Sequence, residues 1–115
     1  MPFNRGNIVE IAFDLPYDGA SPTHPFVVIS NDEVYEEDQM YVCVMLTHMK
    51  KTDLYTFEIT QDMMSKPGDG RFSQARCHII INVSDDDIVH PLSKNSLKLS
   101  AVSRIIAHIN ASTFR

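Results

Sequence analysis

Short β-prone stretches separated by turns, with little room for long helices, most strongly constrain the fold of this chain. The stretches are Asn7 to Phe13, Phe26 to Ile29, Met40 to Leu46, Leu54 to Ile59 and Arg71 to Val83. They are rich in β-branched and aromatic residues, and the last one predicts two strands or one long strand broken near Cys77 and His78. Strands that follow one another without long intervening helices pair mostly antiparallel. We therefore predict a small, strongly curved sheet or partial barrel.

Helical periodicity is clear at the end of the sequence. The segment from Ser100 to Ala111 predicts an amphipathic helix, with Ser100 as a suitable N-cap. Its apolar residues recur at the spacing of one buried face, at Val102, Ile105, Ile106 and Ile109. A single acidic helical turn is expected over Asp32 to Asp38. The segments 14–25 and 84–99 are predicted to be irregular, the second with short helical turns.

The composition fits one globular domain that covers residues 1–115. Apolar residues make up 43% of the chain, which is typical of a folded rather than a disordered protein. No apolar run approaches the roughly 20 residues that span a membrane, and we recognise no secretion signal. We therefore expect a cytoplasmic protein with no membrane partner.

Charge and cysteine usage narrow the function classes. Cys43 and Cys77 lie in apolar stretches, which favours reduced, buried thiols over a disulfide. Five histidines without paired ligand spacing predict neither a metal nor a cofactor.

The net charge of −5 argues against a protein that coats nucleic acids in general. Because the acids cluster in Asp32 to Asp38 and Asp85 to Asp87, a local cationic surface is still compatible with the sequence, as is scattered solvated charge.

Four segments resemble the MazF/PemK toxins. Arg5 to Val9 resembles the RGDIV opening of that family, and Thr23 to Ser30 resembles its (K/T)RPAVVIS strand. Val42 to His48 resembles VVVAPITS, and Ser73 to His78 resembles GVVRCDQ, the arginine-bearing strand of the PemK branch. The helix from Leu97 to Ile109 also fits, so the resemblance covers essentially the whole chain.

The resemblance implies both a fold and an activity. The family has a mainly β fold, an SH3-like (CcdB/PemK-like) barrel of antiparallel strands with short helices and a C-terminal α-helix. Its members are usually homodimers that cut single-stranded RNA at short sequences without a metal, and a cognate antitoxin protein inhibits them. This chain would then be the toxin of a type II toxin–antitoxin system, a growth-inhibiting endoribonuclease (mRNA interferase) with RNA and an antitoxin as partners.

Metal-free RNA cleavage needs three kinds of group. A base takes the proton of the 2′-hydroxyl, an acid protonates the leaving 5′-oxygen, and a cation or hydrogen-bond donors stabilise the phosphorane. Arg76 matches the family's arginine, whose planar fork suits a phosphate. Thr47 matches the active-site threonine of the family, and its hydroxyl could donate to a phosphate oxygen.

Histidines replace two of the family's site residues. His24 stands where the family has the arginine of its RP pair, and His78 stands where the PemK branch has an aspartate. Since residues i and i+2 of a strand share a face, Arg76 and His78 are expected to project together. Imidazole acts as an acid or a base near neutral pH, so the predicted catalytic residues are Arg76, His78, His24 and Thr47.

Four further residues are predicted to bind RNA. His48 follows Thr47 where the family has a serine, and Lys50 adds a positive charge two residues later. Tyr17 and Phe72 could stack on bases. His90 and His108 are predicted to be surface residues outside the site.

Other interpretations of these residues remain open. Arg76 could form a structural salt bridge with one of the many acids, and the histidines could mark the decay of an active site. The chain would then be a degenerate, non-catalytic member that acts by binding an antitoxin. A CcdB-like binder of DNA gyrase is another alternative, although the tail from Ala111 to Arg115 does not visibly match that subgroup.

Overall fold

Six strands and two helices form the regular structure of the computed structural model, which describes residues 3–13, 23–67 and 74–115. The strands are β1 (Asn7–Ala12), β2 (Thr23–Val28), β3 (Tyr41–Thr47), β4 (Thr56–Glu58), β5 (Gln74–Val83) and β6 (Ile88–Ser96). The helices are α1 (Asp32–Asp38) and α2 (Leu99–Ser112), and short 3-10 turns lie at Gln61–Met63 and Asp85–Asp87. The strands pair antiparallel in the order β4-β5-β3-β2-β1-β6, which confirms the predicted antiparallel sheet with a C-terminal helix.

The sheet is so strongly curved that the segments following its two outer strands, β4 and β6, contact each other. Met64, after the turn Gln61–Met63 that follows β4, forms a bridge with Leu97, just after β6. Yet β4 and β6 lie at opposite ends of the strand order. Beside this bridge, the Lys98 N–H donates to the Met63 carbonyl at 2.8 Å. We call this contact between the two segments the seam. The predicted partial barrel is therefore confirmed, and this seam is what closes it.

Gly6 lies beside the seam, where the chain enters β1. Its φ of +96° lies in the left-handed region, and a Cβ at this position would be only 2.6 Å from the Leu97 carbonyl oxygen. The Gly6 carbonyl accepts a 2.8 Å hydrogen bond from Leu97 N, and the Gly6 N–H donates to the Val28 carbonyl at 2.7 Å. Glycine is needed here because two backbone segments approach too closely for a side chain.

Helix α2 covers one face of the sheet and forms the first hydrophobic core. Its predicted stripe is confirmed, since Val102, Ile105 and Ile109 are buried and Ile106 packs against the same core. Burying a side chain of this size contributes roughly 1.5–3 kcal/mol. Among the residues that the structure describes, no helix has the length and apolar character needed to cross a membrane.

The predicted start of α2 is wrong. The helix begins at Leu99, and its N-cap is Lys98 rather than Ser100. The Lys98 carbonyl accepts hydrogen bonds from the backbone N–H groups of Ala101 and Val102, at 3.0 and 3.1 Å. Because the Lys98 N–H is itself bound across the seam, the closure of the barrel sets the helix start and overrides the local preference of serine for the cap.

The opposite face of the sheet carries a second core, and helix α1 lies next to it. Val9, Phe26, Cys43 and Met45 are buried in this core, and Tyr35 of α1 packs against it. The helical turn predicted over Asp32 to Asp38 is confirmed as α1. The Asn31 side chain caps this helix by accepting a hydrogen bond from Val34 N at 3.1 Å.

The segment 84–99, predicted to be irregular, contains a strand with shifts in its pairing register as well as a helical turn. The short turn Asp85–Asp87 agrees with the prediction, but β6 follows it and pairs with β1. This strand lies at the end of the sheet order, where a proline such as Pro91 is tolerated because one side needs no ladder hydrogen bonds. Its polar composition therefore reflects an edge position.

The two cysteines are free and buried, as predicted. Burial raises the pKa of the Cys43 thiol to about 12. It also raises the pKa of the Cys77 thiol to about 11, against a smaller opposing effect of the Arg76 charge. Both thiols are therefore protonated and behave as small apolar side chains at neutral pH.

Candidate active site

Arg76 lies on β5 immediately before an interruption of that strand. The β3–β5 register passes from Met45↔Arg76 to Val44↔Ile80, so residues 77–79 are inserted as a bulge. This confirms the predicted break near Cys77 and His78. Since paired residues share a face of the sheet, Arg76 projects with Met45 and with Thr56, its partner on β4.

The Arg76 guanidinium is held by two acceptors from the segment that leads into β4. Nη1 donates to Asp53 Oδ1 and to Thr56 Oγ1, both at 2.9 Å. The Arg76 side chain is only 7% exposed, whereas that of Asp53 is 42% exposed. The salt bridge considered from the sequence is therefore present, and its acid is Asp53, 23 residues away along the chain.

Asp53 is fixed by its own turn. Its Oδ1 accepts hydrogen bonds from Tyr55 N and from the Thr56 hydroxyl, each at 3.1 Å, as well as from Arg76. The hydrogen bond from Arg76 is the largest cause that lowers the pKa of the Asp53 carboxyl to about 2. The carboxylate is therefore ionised at any pH at which the protein would function.

His78 lies in the bulge and is exposed, with one ring face against Tyr55. The ring centroids are 4.6 Å apart, with 40° between the planes. The pKa of His78 is lowered, first by this partial desolvation and then by the Arg76 charge, while the Asp53 charge opposes the shift. The structure thus brings an imidazole that favours its neutral form within electrostatic reach of the arginine.

Thr47 ends β3 on the same face as Arg76. It pairs with Gln74, two residues before Arg76 on β5, so Thr47 and Arg76 are diagonal neighbours, roughly 7–8 Å apart at the backbone. The Thr47 hydroxyl oxygen accepts a 3.1 Å hydrogen bond from Met49 N. Its hydroxyl hydrogen can therefore be directed towards a ligand.

Gln74 is a buried residue that holds the loop after β3. Its side-chain oxygen accepts from Lys51 N at 2.9 Å, and its amide nitrogen donates to the Lys51 carbonyl at 3.1 Å. This paired contact fixes the backbone just before Asp53. Gln74 thus supports the site without presenting a charge to it.

His24 lies on β2, opposite Ile11 of β1, and is half-buried. It is two residues before Phe26, which pairs with Met45, so continuing this register leads from His24 towards Thr47. His24 therefore shares the face of Arg76, two strands away.

Within the described ranges, no three His, Cys, Asp or Glu side chains are placed to share a metal ion.

The predicted RNA-binding residues are only partly described. His48 and Lys50 are exposed in the loop after β3. Tyr17 and Phe72 lie outside the described residues, as does the side chain of His90. The structure thus places Thr47 and His24 on the same face as Arg76, His78 in the bulge that follows Arg76, and His48 and Lys50 in the exposed loop after β3.

His108, predicted to be a surface residue, is half-buried and contacts the turn that carries Asp53. This half-buried side chain on α2 donates from Nε2 to the Leu54 carbonyl at 2.9 Å. Thr113, at the end of α2, donates its hydroxyl to the Cys77 carbonyl at 2.8 Å. Helix α2 therefore anchors both the turn that carries Asp53 and the bulge that carries His78.

The sequence interpretation missed Asp53, Tyr55, Thr56 and Gln74. One local signal was available, because an aspartate three residues before a threonine often forms a side-chain-capped turn. That spacing indicates the turn but not its partner, Arg76, which comes from another strand. Gln74 has no comparable signal, since its contacts are with backbone groups.

Comparisons with known structures agree on the fold. An endoribonuclease in complex with its cognate antitoxin, from a mycobacterial species, superposes with a TM-score of 0.69 at 17% identity, covering 96% of this chain and 94% of that one. MazF from Deinococcus radiodurans superposes with a TM-score of 0.69 at 9% identity, covering 94% and 93%. A MazE–MazF complex from the same organism gives 0.64 at 9% identity, covering 94% and 92%.

Sequence comparison gives a family but no individual relative. No curated protein sequence matches the chain. One family pattern, described as PemK-like, MazF-like toxin of type II toxin–antitoxin system, matches residues 4–112. That match spans every strand and helix described above, including Arg76 and the turn that holds it. The chain therefore belongs to the PemK-like, MazF-like toxins of type II toxin–antitoxin systems.

Proposed function

We propose that this toxin is a metal-independent endoribonuclease that cleaves single-stranded RNA. The observation that carries the proposal is the pairing of a fixed cation with a neutral base. Arg76 is held at 2.9 Å by Asp53 and Thr56, and beside it His78 has a lowered pKa. The cation can bind a phosphate, and the neutral base can accept the proton of a 2′-hydroxyl.

The proposed reaction is an internal transfer of the phosphate. The neutral His78 imidazole takes the proton of the 2′-hydroxyl, and the 2′-oxygen forms a bond to phosphorus. Arg76 and the Thr47 hydroxyl stabilise the negative charge of the phosphorane. The bond from phosphorus to the 5′-oxygen breaks, and His24, in its protonated form, supplies a proton to that oxygen. The products are a 2′,3′-cyclic phosphate and a 5′-hydroxyl.

The comparisons support the reaction class and the partners. Two of the solved structures similar to this chain are endoribonucleases from mycobacterial species, and one of them is bound to its cognate antitoxin. We infer a cytoplasmic toxin with RNA as its substrate, an antitoxin protein as its inhibitor and a homodimer as its assembly. His48, Lys50, Tyr17 and Phe72 are proposed to contact the RNA beyond the scissile phosphate.

The test is RNA cleavage by the purified full chain in the presence of a chelator. We expect fragments that end in a 2′,3′-cyclic phosphate, and we expect the Arg76→Ala variant to produce none. Arg115→Ala is the matched control, because it removes an exposed arginine at the far end of the chain. Loss of cleavage on adding the chelator, or full cleavage by Arg76→Ala, would contradict the mechanism.

A second candidate function follows from the burial of Arg76. An arginine side chain that is 7% exposed and ion-paired is also what a binding-only member of the family would contain. Such a protein would leave RNA intact and would act through an antitoxin or through DNA gyrase. The RNA assay separates the two functions, because a binding-only protein leaves RNA intact, and an assay of gyrase supercoiling run beside it shows whether gyrase is the target.

A further inference from the structure

Asp53 supplies a carboxylate at a position that the family resemblance does not indicate. In the PemK branch the acid follows the arginine by two residues on the same strand, and here that position is His78. We propose that Asp53, from the loop between β3 and β4, is the positioning residue of the site, holding Arg76 in place and setting the charge around His78. The proposal rests on the proposed function, because it assigns Asp53 a role in that reaction.

The first argument is that Asp53 is placed by its own loop. Oδ1 accepts from Tyr55 N and from the Thr56 hydroxyl at 3.1 Å, and Thr56 N donates to the Asp53 carbonyl at 3.3 Å. These bonds fix the carboxylate independently of Arg76. The arginine, with its long and flexible side chain, is therefore ordered by an acid that is already in position.

The second argument is that the loop itself is anchored from two sides. The Leu54 carbonyl accepts from His108 of α2 at 2.9 Å. The neighbouring Tyr55 carbonyl accepts from Cys77 N of β5, also at 2.9 Å. Asp53 directly precedes these two anchored residues, which limits its freedom to move away from the site.

The third argument concerns charge. An arginine side chain that is only 7% exposed needs a counter-charge, and Asp53 forms a salt bridge with it. The same carboxylate raises the pKa of His78 against the lowering effects of burial and Arg76. Asp53 therefore acts on Arg76 through a hydrogen bond and on His78 through its electrostatic field.

Two variants and a matched control separate positioning from simple support. Asp53→Asn keeps an oxygen that can accept the same hydrogen bonds but removes the charge, and Asp53→Ala removes both. Asp62→Asn is the control, because Asp62 likewise accepts a hydrogen bond from a nearby threonine, Thr60, but lies on the turn Gln61–Met63. All three are made in the full chain.

The kinetic arm measures kcat and KM for single-stranded RNA. We expect Asp53→Ala to lower kcat on the order of 100-fold and Asp53→Asn to lower it less. KM should stay unchanged or fall, because a negative charge near the RNA phosphate has been removed. Asp62→Asn should match the natural chain. A normal or raised kcat in Asp53→Asn overturns the proposal, a raised value showing that the carboxylate competes with phosphate for Arg76.

The spectroscopic arm follows the His78 imidazole by NMR as the pH is changed. Removing the Asp53 charge disfavours the imidazolium, so Asp53→Asn should titrate at a lower pH than the natural chain while Asp62→Asn should not shift. This readout needs no RNA cleavage. If the natural chain does not cut RNA, the proposed function fails while this arm still decides whether Asp53 acts on His78. An unshifted titration overturns the proposal.

Discussion

Asp53 and Asp85 lie at opposite ends of the same pair of strands, and each accepts hydrogen bonds from two other side chains. At one end, Asp53 binds Arg76 and Thr56. At the other, where Tyr41 pairs with Val83, Asp85 follows β5 and accepts from the hydroxyls of Tyr35 and Tyr41. Both clusters join separate elements through one carboxylate, so hydrogen bonding alone does not distinguish a site from a structural tie.

The difference lies in the charge of the donors. The Asp85 cluster uses neutral phenols whose pKa values are raised, for Tyr35 chiefly by the hydrogen bond to Asp85 and for Tyr41 chiefly by burial. The Asp53 cluster contains a permanent cation with an imidazole in reach. A cluster that holds a cation next to an imidazole can stabilise and move charge, whereas the phenol cluster only connects α1 to the sheet.

The acidic residues are also divided between the two ends. The segments Asp32–Asp38 and Asp85–Asp87 are brought together by the Tyr35–Asp85 hydrogen bond. The acids that dominate the net charge of −5 are thus concentrated at the end away from Arg76. An overall negative protein can therefore present a site for an anion, which was one of the two charge distributions compatible with the sequence.

The largest expected effect is on RNA cleavage, and it should distinguish the Arg76 end of the strand pair from the Asp85 end. Arg76→Lys keeps the charge but loses the fork, and we expect RNA cleavage to fall by about 10²–10³-fold. Tyr41→Phe, in the other cluster, should cleave RNA at the natural rate. Initial rates on single-stranded RNA, with thermal unfolding of each variant as a control, measure this. Equal losses in both variants would show that the two ends are not functionally distinct.

The next effect is on stability and belongs to the Asp85 end. Asp85→Ala leaves two phenol hydroxyls without their acceptor, and we expect it to lower the free energy of unfolding by about 2–3 kcal/mol. Asp85→Asn should lose less, because its amide oxygen can still accept. Urea denaturation of the natural chain and both variants checks the order. Equal stability of the two variants would argue that Asp85 acts through its charge alone.

The two clusters should fail at opposite ends of the pH range. The pKa of Asp53 is lowered from 3.8 to about 2, so its stabilisation is complete above pH 3.8 and is lost as the pH falls towards 2. With the carboxylate partly exposed, this amounts to about 1 kcal/mol. The pKa of Tyr41 is raised above 10, so its stabilisation is present below pH 10 and is lost at higher pH.

Unfolding measured across the pH range tests this contrast. Asp53→Asn should remove part of the loss of stability at acid pH and leave the loss of stability at alkaline pH unchanged. Tyr41→Phe should do the reverse. If either variant alters both limbs, the two clusters are coupled through β3 and β5 and are not independent ties.

The smallest expected effect concerns the anchor on α2. His108→Phe keeps a ring next to Phe57, which lies 6.0 Å away between centroids, but removes the donor to the Leu54 carbonyl. We expect a loss of about 0.5–1.5 kcal/mol in stability and a fall in cleavage of a few-fold, because the Asp53 turn is less well held. A variant with unchanged kcat would show that Cys77 and the turn itself are sufficient.

Local pattern predicted the fold where the residues themselves carry the signal. The central strands and the stripe of α2 are apolar with a clear period, so their burial could be inferred from the sequence. Strand β6 could not, because its polar residues suit an edge whose existence depends on β1. The N-cap at Lys98 likewise depends on the seam with Met63, which no local preference encodes.

The candidate site was only half predictable for the same reason. Arg76, Thr47 and the histidines were found through a resemblance of short segments, which identifies single positions. Asp53 was missed because its partner lies 23 residues away and is brought near by the pairing of β4 with β5. The contact of His108 was not predicted because its acceptor is a backbone carbonyl, which leaves no trace in the sequence.

During synthesis Gly6 leaves the ribosome long before Leu97, although each is the other's hydrogen-bond partner at the seam. Contacts between residues so distant in sequence form late, because the intervening chain must be ordered first. The barrel is therefore completed only after Leu97 has emerged, and α2, which anchors the Asp53 turn, follows Leu97 along the chain. A nascent chain thus stays without an assembled Arg76 site until α2 has left the ribosome.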